Sequence, residues 1–170
     1  MLLLLIADTH LPPRARDLPE EVWQAVDDAD LVVHAGDWVS LELLDRMQAR
    51  ADVLGVRGNN DYGTEFRERL PEVARRTVEG VSVAVVHKTG DKRGRDAYCD
   101  GRFAGTDLLV FGHSHAPWDS VTPGGIRLLN PGSCMDRRLQ PHRTYLTLEI
   151  SNGTVGEPVL HQLAKQGQPA

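Results

Sequence analysis

Cysteine is nearly absent, with Cys99 and Cys134 the only two in 170 residues. They have neither CxxC spacing nor a secretory context, which excludes a disulfide framework and a zinc knuckle and predicts two reduced thiols. Long apolar runs are missing as well. The stretch from Leu2 to Ala7 is six residues, no cation precedes it and Asp8 ends it. It is too short for a signal segment or for the roughly 20 residues of a membrane helix. Positive charge is not in excess: the net charge is −5, so a broad electropositive surface for gripping duplex nucleic acid is not expected. Internal repeats and low-complexity segments are lacking too. What remains is a cytoplasmic globular chain of one domain over residues 1–164, followed by a frayed tail at 165–170.

The first half reads as alternating strands and helices. MLLLLIA is a continuous apolar run, as in a strand buried on both faces. From Pro19, the apolar positions Val22, Trp23, Ala25, Val26 and Ala29 follow helical spacing, with Glu20 and Glu21 near the N-terminal dipole. LVVHAGD is a second strand, SLELLDRMQA a second helix capped by Ser40, and ADVLGVRGNND a third strand running into a loop. This βαβαβ order predicts a parallel sheet whose strands place Asp8, Asp37 and Asn59 at their carboxyl ends. The second half reads as hairpins over RRTVEGVSVAVVH, VTPGGIRLLN and HRTYLTLEISNGTVGEPVLHQL, hence as antiparallel-rich. RGRDAYCDGRFAG is a weak helix and DLLVFGHSH a short buried strand.

Five segments put a metal-competent side chain just after a strand: Asp8 and His10 in IADTH, Asp37 in HAGDW, Asn59 in RGNND, His87 in VVHKTG, and His113 and His115 in FGHSH. The i, i+2 pairs Asp8/His10 and His113/His115 would each point the same way from an extended backbone. Carboxylate, amide and imidazole donors without thiolate suit Mn, Fe, Zn, Ni or Co and favour a catalytic over a structural site.

Taken in order, DxH, GD, GN followed by a variable residue and an acid, a lone His and GHxH resemble the calcineurin-like metallophosphoesterase superfamily, and within it the small single-domain phosphodiesterases. The resemblance spans most of the chain. It implies an α/β fold of four layers, α/β/β/α, with two mixed sheets between helices. It also implies two divalent ions, Mn first among the candidates and Ni, Fe, Zn, Co or Mg as alternatives. Asp8, His10 and His115 would hold one ion, Asn59, His87 and His113 the other, and Asp37 would bridge them. Two such ions about 3.5–4 Å apart clamp a phosphate and generate hydroxide at neutral pH. Because imidazole must be deprotonated to bind metal, acidification is expected to release the ions.

Two departures from the commoner family patterns bear on substrate. Asn60 stands where phosphatase members often have a histidine that assists the leaving group. Asparagine hydrogen-bonds a phosphate oxygen but donates no proton as an acid, which tilts the reading toward small phosphodiesters with good leaving groups. Lys88-Thr89-Gly90 follows His87 where Gly-His is common, which makes Lys88 a second candidate for phosphate contact. Asn60 and His87 are thus the candidate catalytic residues. The basic clusters Lys88, Lys92, Arg93, Arg95 and Arg137, Arg138 read first as solvated loops and second as substrate contacts.

The remaining histidines have ordinary readings: His34 as a structural residue on the opposite face from Asp37, His142 and His161 as surface or packing residues. The resemblance implies that Asp61 orients its loop and that Asn130 to Ser133, similar to the NPGS turn of the small phosphodiesterases, lies near the site; by residue type alone both read as turns, and Trp23, Trp38 and Trp118 as packing. A phosphomonoesterase, a nucleotide phosphatase and a non-catalytic interaction scaffold of the same fold are the rival functions. The expected partner is a small phosphate ester, with no membrane and no stable duplex nucleic acid; self-association is left open.

Overall fold

The structure, a computed structural model, describes residues 1–12 and 15–164; the tail expected at 165–170 lies outside them. Strand β1 (Leu2–Ile6), helix α1 (Glu20–Asp28), β2 (Leu31–His34), α2 (Leu41–Gln48) and β3 (Asp52–Gly55) realise the βαβαβ order. β1 pairs in parallel with β2, and β2 with β3. Ser40 caps α2 by accepting from the Glu42 amide at 3.1 Å, whereas Pro19 precedes α1 without a side-chain cap. Next come α3 (Thr64–Arg69), β4 (Val73–Val78), β5 (Val81–Val86), α4 (Arg95–Arg102), β6 (Leu108–Phe111), β7 (Trp118–Val121), β8 (Arg127–Asn130), β9 (Arg143–Ser151), β10 (Thr154–Val155) and β11 (Val159–Leu163). Helix α3 was not anticipated: TEFRER is short, polar and buries only Phe66.

The expected hairpins form and most strand pairs of the second half are antiparallel, but the centre of its own sheet is not. Its sheet runs β4-β5-β6-β8-β7, and β5, β6 and β8 are parallel to one another. Hairpin signals report only which strands are neighbours in the chain. The parallel centre comes from the crossover through α4 and from VSVAVV and LLVF, apolar runs suited to burial on both faces. The other sheet runs β10-β9-β1-β2-β3, with β11 also on β9.

Alternation along β1 feeds two cores, and a third lies beyond the second sheet. Leu3 and Leu5 join Val33, Val83, Val85, Val110 and Leu148 between the two sheets. Leu4 and Ile6 face the other way and pack with Val22, Trp23, Val26, Leu44 and Met47 of α1 and α2. On the far side, Leu109, Phe111 and Leu128 pack with Cys99 and Phe103 beside α4. Leu3, Leu4, Leu5 and Ile6 are all fully buried, each worth about 1.5–3 kcal/mol by transfer from water. The layers are α/β/β/α, as the resemblance implies, and the carboxyl ends of the parallel strands of both sheets meet along one edge.

Candidate metal centre

At that edge the chain leaves its strands through left-handed backbone. Asp8, His10, Asp37, His113 and His115 have φ of 54°, 47°, 61°, 70° and 55°, values uncommon for residues with a Cβ and concentrated at functional sites. The expected extended i, i+2 geometry is therefore not what aims these side chains. It is tight turns that bring Asp8 and His10 together. His113 and His115 part company: His115 is buried, whereas His113 is exposed.

Asp8, His10 and His115 form one group able to hold an ion, and Asp8, Asp37 and His87 a second. In the first, His10 Nε2 lies 3.3 Å from His115 Nε2 and 3.6 Å from Asp37 Oδ2, and His115 Nε2 lies 3.5 Å from Asp8 Oδ1. In the second, His87 Nε2 lies 3.5 Å from Asp37 Oδ1 and 3.1 Å from Asn59 Oδ1. His113 flanks this group, its ring 5.2 Å from that of His87. Asp37 stands between the groups. Asn60 donates to it twice, from its amide at 2.8 Å and from Nδ2 at 2.6 Å, which leaves one Nδ2 hydrogen for another acceptor.

The tautomers follow from the outer hydrogen bonds. His87 Nδ1 donates to the Ala35 carbonyl at 2.7 Å and His115 Nδ1 to the Asp136 carbonyl at 2.6 Å. Each Nε2 is then a bare lone pair, turned toward Asp37 and Asn59 in His87 and toward His10 and Asp8 in His115. Burial first of all pushes both imidazoles down to about 4 and lowers His113 as well, which keeps them neutral and ready to ligate. Asp8 is fully buried, and its Oδ1 has no hydrogen-bond partner. Burial, then the neighbouring Asp37, raises its carboxyl well above the usual range. An orphaned carboxylate oxygen among converging lone pairs is a site that a cation satisfies, so the donor set fits divalent metal.

Around these groups lies a rigid frame. Asp61 accepts from the amides of Asp37, Val39 and Gly58 at 2.9, 2.7 and 2.7 Å, the orienting role expected of it. Gly58 is there because a Cβ would fall 2.1 Å from Asp37 Oδ1. Asp8 Oδ2 accepts from the His113 amide at 2.9 Å and so ties the two sheets together. His34 is buried and stacked on Trp38 at 3.4 Å between centroids; its Nδ1 accepts from the Gly36 amide, and its Nε2 meets Thr9 Oγ1 at 3.1 Å.

From residue type alone Asn130 and Ser133 read as turn formers, with only the family resemblance implying that they lie near the site. Ser133 Oγ donates to the Asp8 carbonyl at 2.7 Å and accepts from the Met135 and Asp136 amides. Asn130 Nδ2 donates to the Gly112 carbonyl at 2.9 Å. The NPGS run thus clamps both the DxH and GHxH loops; its polar residues after a buried strand were the available signal. His161 stacks on Tyr145, Trp23 lies under Arg46 and Arg50, and Trp38 donates to the Val56 carbonyl, all packing roles as expected. Cys99 and Cys134 are buried and free, with burial pushing their thiols up to about 11 and about 12.

Residues 1–153 match the family model described as the calcineurin-like phosphoesterase superfamily domain. The chain belongs to that superfamily. A probable metallophosphoesterase from Methanothermobacter thermautotrophicus is 35% identical over 174 residues, spanning 99% of this calcineurin-like chain and 95% of its relative. The solution structure of a Thermotoga maritima protein shares the fold with a TM-score of 0.74 at 32% identity, covering 95% of this chain and 99% of that one. Vps29 from Entamoeba histolytica, determined in complex with zinc, shares the phosphoesterase fold with a TM-score of 0.74 at 22% identity, over 96% and 98% of the two chains.

Proposed function

We propose that this chain is a two-metal phosphodiesterase acting on small phosphodiesters. The observation that carries the reading is the convergence of the His87 and His115 lone pairs, the Asn59 amide oxygen and the buried carboxylates of Asp37 and Asp8 around an Asp8 Oδ1 that has no hydrogen-bond partner. Asp8, His10 and His115 would hold one ion and Asn59, His87 and His113 the other, with Asp37 shared; manganese is the first candidate. Bound there, the ions would supply charge to hold a phosphate and a nucleophile from water at neutral pH.

The protein's own residues do the rest. Asp61 and Ser133 fix the loops that carry Asp37 and Asp8, and Asn60 holds Asp37 while offering its remaining amide hydrogen to a phosphate oxygen. No imidazole stands at position 60 to protonate a leaving group, which favours diesters with weakly basic leaving groups over monoesters. Among the described residues no helix is long and apolar enough to cross a membrane, and two free buried thiols suit a reducing compartment such as the cytoplasm.

Chelator-stripped protein given back Mn, Ni, Zn or Mg singly should hydrolyse bis(p-nitrophenyl) phosphate faster than p-nitrophenyl phosphate, and Asp37→Ala should abolish both activities. Turnover that survives chelation, or a monoester preference, would contradict this assignment.

A further inference from the structure

Beside His113 the structure carries a second concentration of unspent chemistry. Arg95 opens α4 with only 8% of its surface exposed. Its Nε is buried without a hydrogen-bond partner, and its guanidinium forms no ion pair or hydrogen bond among the described residues. A cation in the first turn of a helix also sits at the end where the dipole favours anions. What holds it are two aromatic rings, with Cζ 4.8 Å from the centroid of Phe111 and 4.7 Å from that of Trp118.

Stacking of this kind fixes the plane of the guanidinium but leaves its hydrogen-bonding fork unused. Arg95 lines a cavity of about 290 Å³ that it shares with His113, Lys88, Lys92 and Arg138, and with the single carboxylate of Asp91. Lys92 Nζ lies 4.9 Å from the Trp118 ring, and Arg138 Nη1 donates to the His113 carbonyl at 3.3 Å. Four cations against one acid, a buried guanidinium with no hydrogen-bond partner among them, describe a receptor for an anion. Its volume lies near the lower end of small-ligand pockets, about 300–1,000 Å³.

The geometry points to a second anion subsite, organised by Arg95 next to the metal centre, that selects phosphate esters carrying a further phosphoryl group close to the scissile one. The identity of its neighbour rests on the phosphodiesterase reading; the anion-binding chemistry of the cavity does not.

Two measurements separate these claims. Calorimetric titration of the manganese-loaded protein with thymidine bisphosphate and thymidine monophosphate should show the bisphosphate binding about tenfold tighter, the size expected of one hydrogen-bonded charge pair. In Arg95→Met that ratio should fall toward one. Lys92→Gln, altered at an exposed side chain and so little exposed to folding failure, should reduce it less. Equal affinities in the wild type, or a preference unchanged in both variants, would overturn the subsite. Hydrolysis of a p-nitrophenyl nucleotide diester, with and without an added phosphate on its sugar, should show the same ratio in KM. A bisphosphate preference without any turnover would retain the subsite and remove the phosphodiesterase reading; turnover without the preference would do the reverse.

Discussion

His87 reaches across the interface between the sheets to donate its Nδ1 hydrogen to the carbonyl of Ala35 at 2.7 Å. One hydrogen bond thereby fixes a tautomer, aims Nε2 at Asp37 and Asn59, and joins β5 to the loop after β2. Replacing His87 by Ala should weaken metal binding by at least the ~10–100-fold seen on losing supporting contacts alone. It should also cost about 1 kcal/mol for the lost hydrogen bond. Metal titration and urea unfolding check the two effects separately; a variant with full metal affinity would contradict the ligand role.

Asp61 touches no candidate ligand side chain, yet three backbone amides depend on it. Asp61→Ala should destabilise the fold by about 3 kcal/mol or more, since hydrogen bonds to a charged group are worth ~1.5–3 kcal/mol each. Asp61→Asn keeps one acceptor oxygen and should recover part of both stability and metal affinity. Equal loss in the two variants would show that the amide bonds are not what matters.

Gly58→Ala tests a contact rather than a charge. Its Cβ would lie 2.4 Å from the Asp37 amide nitrogen as well as against the carboxylate, so the loop must shift. Phosphoesterase activity should fall by more than tenfold, about 1.4 kcal/mol in the barrier, while circular dichroism stays native. Unchanged kinetics would mean that the loop yields without cost.

Stability of the chelated protein should depend on pH in a defined direction. Burial holds His34 well below its ordinary value and His87 and His115 down to about 4. Unfolded, they titrate near ~6.5. Their contribution is therefore complete above that pH and is lost as the pH falls through it toward about 4. Asp8 works in the opposite sense: its raised folded pKa makes a contribution present at low pH and lost as the carboxyl ionises. Metal relieves that cost at neutral pH, so adding manganese at ~100-fold its Kd should raise Tm by about 5–10 °C. A denaturant midpoint that does not fall between pH 7.5 and pH 5 would contradict the histidine assignment.

The βαβαβ order of the first half and the metal-competent positions were legible because both depend on local pattern. MLLLLIA announces a strand buried on two faces, and Asp8, Asp37 and Asn59 follow strand ends that a βαβαβ chain must align. The parallel centre of the second sheet was hidden, since the β4–β5 and β7–β8 hairpins do not reveal how β5, β6 and β8 stack. The divergence of His113 from His115 was equally hidden, because it depends on left-handed turns that spacing alone does not specify. The clamping role of Ser133 was hidden because it acts on a residue 125 positions away, and Arg95 could not be singled out from its basic cluster because it is defined by partners it lacks.

The central claim is that these side chains form a two-metal centre, and calorimetric titration of Mn²⁺ into chelator-stripped protein tests it most directly. Two ions per chain, with binding lost in Asp37→Ala while the fold persists, is the predicted result. No saturable binding to the folded wild-type protein, or a stoichiometry untouched by Asp37→Ala, would contradict it.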